Sequence, residues 1–141
     1  MSRAAPASNA ALTFSLLGGP LAWFVQLCAG YALSSWPCFP QDLRRPLPLP
    51  DYGWTSSAIA LVSLAAFVIA LAASLTGARA MRRNRAGEPA VRDSNRGGRI
   101  EATVLGRRCF LALWGCLAGA GFAVAIAFTA VQFWLLPRCA G

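Results

Sequence analysis

Cysteines are the most reactive side chains in this sequence, and two of them occupy matching positions. Cys38 and Cys139 each follow directly after a long apolar segment. If both segments end on the same, oxidising side of a membrane, a disulfide between Cys38 and Cys139 is expected. A redox-active pair or a Cu(I) site would use the same thiols, but neither has a histidine or methionine beside it, which disfavours copper.

The remaining ionisable residues argue against an enzyme. The chain contains no histidine, so the commonest general base and metal ligand is missing. The other cysteines, Cys28, Cys109 and Cys116, lie in or at the ends of apolar segments and are interpreted as small buried hydrophobes. None of the five carboxylates lies in an apolar segment. We therefore predict no catalytic residues, no metal site and no cofactor.

Two glutamines are the most polar side chains within the apolar segments. An amide in hydrocarbon needs a hydrogen-bonding partner, and such bonds between membrane helices contribute about 1–2 kcal/mol at most. We predict an intramembrane polar contact that joins Gln26 to Gln132, Tyr31 or Thr129. The alternative is a Gln26 that contacts a quinone or a partner protein.

Three apolar segments should hold these side chains in place. The first, from Ala10 to Leu33, has no charged residue and as a helix would span about 36 Å, whereas a bilayer core is about 30 Å thick. Its length also exceeds the core of a cleaved signal peptide, about 7–15 residues. The sequence predicts an all-α integral membrane protein with one domain and three transmembrane helices, at about 10–35, 54–78 and 109–136.

Small residues at four-residue spacing predict where these helices pack. Gly115 and Gly119 form a GxxxG pair that Ala123 extends, and Ala66 with Ala70 repeats the spacing on the second helix. Such faces allow close contact between helix backbones. The two faces together exceed what three helices can bury mutually, which favours a further protein partner.

Gly18, Gly19 and Pro20 predict a kink in the first helix, because proline removes a backbone donor and crowds the preceding turn. Packing explains this kink without a special function. A broken helix lining a transport site is the alternative, but it would need charged or convergent polar partners at the same depth, and the sequence shows none.

Arginine distribution predicts the orientation of the chain. The segment 79–108 carries nine arginines and three acids and is predicted to be a loop with short helical extensions at each end, whereas the proline-rich loop 37–53 carries two arginines. The positive-inside rule then places the N-terminus and the arginine-rich loop in the cytoplasm and the C-terminus outside. We expect this loop to contact anionic lipid head groups, and not nucleic acid, since it has no aromatic residues for base stacking.

The string GGPLAWFVQLCAGYALSSWPCFP at Gly18 to Pro40, with LLPRCAG at the end of the chain, resembles a group of small bacterial membrane proteins encoded beside haem-copper terminal oxidases. The resemblance covers the first helix and the positions of Cys38 and Cys139. It implies a respiratory accessory or assembly factor in the bacterial inner membrane.

These observations favour a non-catalytic accessory or assembly subunit of a larger membrane complex, with the lipid bilayer and other membrane subunits as partners. The alternative is a small homo-oligomeric transporter or channel component. That alternative has no intramembrane charge for coupling.

Overall fold

The structure, a computed structural model, describes residues 8–38, 53–92 and 98–135; the side chains of residues 37, 86–92 and 98–102 are not described. Three helices make up nearly all of this described part: α1 (Asn9–Ser35), α2 (Trp54–Arg92) and α3 (Gly98–Leu135). A single 3₁₀ turn, Trp36–Cys38, follows α1. Each helix contains a segment long and apolar enough to cross a membrane. The chain is therefore an all-helical, multi-pass membrane protein.

Local sequence explains how α1 begins and ends. The Ser8 hydroxyl accepts a hydrogen bond from the backbone N–H of Ala11 at 3.2 Å, which caps the first turn. At the other end, the backbone N–H of Trp36 donates to the carbonyl of Ala32 before the chain enters the 3₁₀ turn. Pro20 lies inside the helix, which continues through it without a break.

The helical extensions predicted at the two ends of the 79–108 loop are longer than expected. The second helix continues past residue 78 to Arg92, and the third begins at Gly98, ahead of the predicted start at 109. An established helix gains one backbone hydrogen bond for each residue added and incurs no second nucleation cost. Alanine, methionine and arginine, which dominate residues 78–86, are among the better helix formers.

Contacts between the helices define their directions. Leu12, Ala80 and Ala112 form one buried cluster. Ala22, Ala66 and Ala123 belong to a second cluster, together with Ala70 and Ile126. From the first cluster to the second, residue numbers increase along α1 and α3 and decrease along α2. Helices α1 and α3 therefore run parallel to each other, and α2 runs antiparallel to both. All five residues predicted to pack between helices are buried: Ala66, Ala70, Gly115, Gly119 and Ala123.

Alanine and glycine dominate the core because the backbones approach closely. A Cβ atom added to Gly77 would lie 2.7 Å from the backbone nitrogen of Cys116 and 2.9 Å from the carbonyl oxygen of Ala112. Gly19 approaches Gly119, where an added Cβ would lie 3.2 Å from the Gly119 Cα. Gly18 and Gly19, predicted to form part of a kink, are thus buried contact residues of α1.

Gly30 provides a test of how side-chain contacts differ from backbone contacts in this core. A Cβ at Gly30 would collide with the ring of Phe133 on α3, and with no backbone atom among its nearest neighbours. Because that ring belongs to a side chain that can rotate, we expect Gly30→Ala to lower the free energy of unfolding by about 1 kcal/mol, at the low end for overpacking. Unfolding in mixed micelles measures this free energy. In the double variant, Phe133→Leu is expected to restore part of the stability that Gly30→Ala loses. A loss unchanged by Phe133→Leu would contradict the assignment.

Candidate functional site

Gln26 lies at the centre of the bundle and hydrogen-bonds to both other helices. Its side chain is fully buried, and Nε2 lies 3.1 Å from Oγ of Ser63 on α2 and 3.2 Å from the carbonyl oxygen of Ile126 on α3. Thr129 Oγ1 lies 3.1 Å from Gln26 Oε1. We call Gln26, Ser63 and Thr129 the polar cluster.

The Thr129 hydroxyl has one proton and three acceptors within reach. Besides Gln26 Oε1, the carbonyl oxygens of Ala125 and Ile126 lie 2.8 Å and 3.1 Å from Oγ1. A threonine in a helix can donate to its own preceding turn. Thr129 therefore has an alternative acceptor on α3 if Gln26 is removed, which limits the energetic cost of losing the amide.

The structure brings Gln26 and Thr129 together, but the other two predicted partners, Tyr31 and Gln132, lie outside the polar cluster. Tyr31 is 73% exposed on the outer surface of α1, and Gln132 is also exposed. The prediction that Tyr31 or Gln132 contacts Gln26 is therefore not supported by this geometry. Each lies on a helix face that points away from the bundle axis.

Ser63 is the member of the polar cluster that sequence reasoning missed. It lies three residues before Ala66 and seven before Ala70, on the same face of α2. A serine within a stripe of alanines is a usable signal, because small polar residues often form hydrogen bonds between membrane helices. A second bond of this kind links α2 to α3, from the Ser74 hydroxyl to the carbonyl oxygen of Cys116 at 3.0 Å.

Trp23 lies one turn before Gln26 and packs beside the same core. Its ring contacts Phe122 on α3, with the ring centroids 5.6 Å apart and a tilt of 51°. The indole Nε1 is buried and has no hydrogen-bonding partner among the described residues. Burying an N–H without a partner is unfavourable, so the aromatic contact and the burial of apolar surface must hold Trp23 in position.

The cysteines fall into two groups. Cys28, Cys109 and Cys116 do not form disulfides. Cys28 is exposed on α1, so the interpretation of it as a buried hydrophobe was wrong, and Cys109 and Cys116 are only partly buried. Cys38 is 5% exposed and is not a free thiol. Its predicted partner, Cys139, lies outside the described residues, so their pairing stays a prediction.

The side chains of the polar cluster are amides and hydroxyls, which do not ionise in hydrocarbon. Among residues 8–38, 53–92 and 98–135, no three His, Cys, Asp or Glu side chains come close enough to hold a metal ion. Nothing in the polar cluster provides a general acid or base. Its geometry fits one role well, the fixing of the rotation and depth of α1 against α2 and α3.

The outer surface is apolar and grooved. A groove of about 850 Å³ runs between α1 and α2, and a second of about 550 Å³ runs between α2 and α3. We call the first one the α1/α2 groove; its lining is Ala10, Thr13, Phe14, Leu17, Gly18, Leu21, Ala22, Val25, Val62, Ala65, Ala66 and Ile69. Large side chains such as Phe24, Leu61 and Phe128 are 60% or more exposed. In each span only about a third of the most apolar segment is buried.

The fold and this apolar exterior define a class, a small multi-pass membrane protein built as a tight three-helix bundle. Comparison with protein families, with curated proteins and with solved structures found no match to this chain.

Proposed function

We propose that this chain is a non-catalytic accessory or assembly subunit of a larger complex in the bacterial inner membrane, and that a respiratory terminal oxidase is that complex. One observation carries most of the weight. The polar cluster satisfies its own hydrogen bonds at the bundle axis, which leaves the wide apolar exterior as the surface for interaction. The choice of complex rests on the resemblance of Gly18 to Pro40 alone.

The proposed orientation follows from charge. The described side chains at the α1 N-terminal end of the bundle include Arg79, Arg82, Arg83, Arg85, Arg107 and Arg108. The guanidinium of Arg108 also donates a hydrogen bond to Asn9 Oδ1 at 3.4 Å. Because arginine is enriched on the cytoplasmic side, we place this end in the cytoplasm, where anionic lipid head groups attract it.

Affinity purification from membranes in a mild detergent tests the proposal. We expect the tagged chain to co-purify with larger subunits whose visible spectrum shows haem. A symmetric oligomer of this chain alone would instead favour the transporter or channel alternative. Gln26→Leu serves as a companion variant: if co-purification is unchanged, Gln26 has no direct role in partner contact and is a residue of the bundle core.

Orientation and pairing of the outer cysteines allow a separate prediction. In a variant that keeps only Cys38 and Cys139, we expect a membrane-impermeant maleimide to label intact spheroplasts only after reduction, because a disulfide protects both thiols. Cys139→Ser in the same background should free Cys38 for labelling without reductant. Labelling of both thiols without reductant would contradict the disulfide. If inverted vesicles are labelled and intact spheroplasts are not, the orientation is wrong.

A further inference from the structure

We draw no further inference here: the strongest candidate, the cavity between α2 and α3 that Ser63, Phe67 and Trp134 line, is an open apolar face whose one polar side chain, Ser63, already bonds to Gln26, and nothing in the described part of the structure shows what covers it.

Discussion

Replacing Gly119 by alanine should lower the free energy of unfolding of the bundle by about 3 kcal/mol, the upper part of the range for overpacked cores. An added Cβ would lie 2.6 Å from the backbone nitrogen of Ser74, 2.8 Å from its Cα and 2.9 Å from its Cβ. Backbone atoms cannot rotate out of the way as a side chain can. The collision must therefore separate α3 from α2, which also strains the hydrogen bond from Ser74 to the Cys116 carbonyl.

Gly121 provides the matched control on the same helix, two residues away. It is exposed, and a Cβ there would meet nothing within 4 Å. Gly121→Ala should change the free energy of unfolding by less than about 0.5 kcal/mol, as is usual for surface positions. Unfolding by SDS in dodecyl maltoside micelles, followed by tryptophan fluorescence, compares the two variants. Similar losses for both would mean that the close approach of α2 and α3 at Gly119 is incorrect.

Gln26→Ala should have an effect of similar size, a loss of about 3 kcal/mol, because it combines a cavity with lost hydrogen bonds. Gln26 is among the largest fully buried side chains, and truncation of buried side chains of this size to alanine typically costs 2–5 kcal/mol. Gln26→Met keeps most of the volume and removes only the amide. We expect it to cost about 1 kcal/mol, since interhelical hydrogen bonds in membranes are individually weak.

A double-mutant cycle isolates one bond within the polar cluster. Thr129→Val removes the hydroxyl that lies 3.1 Å from Gln26 Oε1 and keeps the shape of the side chain. Combined with Gln26→Met, it should reveal a coupling free energy of about 0.5–1.5 kcal/mol. The same unfolding titration measures all four proteins. A coupling near zero would show that Thr129 donates to its own helix and that Gln26 depends on Ser63 and Ile126.

Much of the candidate site could be predicted from sequence because hydrocarbon tolerates few polar groups. Gln26 stands out in an uncharged segment, and Thr129 was one of three partners considered. Gln132 was an equally reasonable partner by composition, yet it is exposed, three residues beyond Thr129. A difference of three residues turns a side chain about 60° around the helix, and only the packing of α1 on α3 decides which residue faces inward.

The helix lengths were also predicted only in part from the sequence. Apolar composition predicted the spans, because the bilayer imposes a minimum length on any uncharged helix. The arginine-rich segment was predicted to be a loop with only short helical extensions, on the reasoning that a segment poor in apolar residues cannot bury enough surface to fold by itself. That reasoning does not apply to residues that continue an existing helix, such as Arg79 to Arg85.

By itself, the sequence determined that this is a membrane protein, how many spans it has and which small-residue faces its helices use for packing. Each of these features depends on residues close together along the chain. Only the tertiary structure decided which partners Gln26 has, where Ser63 enters the polar cluster, and that Gly119 meets the backbone of Ser74. These features depend on the relative rotation and depth of three helices. Rotation and depth are fixed by all interhelical contacts together, and no single segment contains that information.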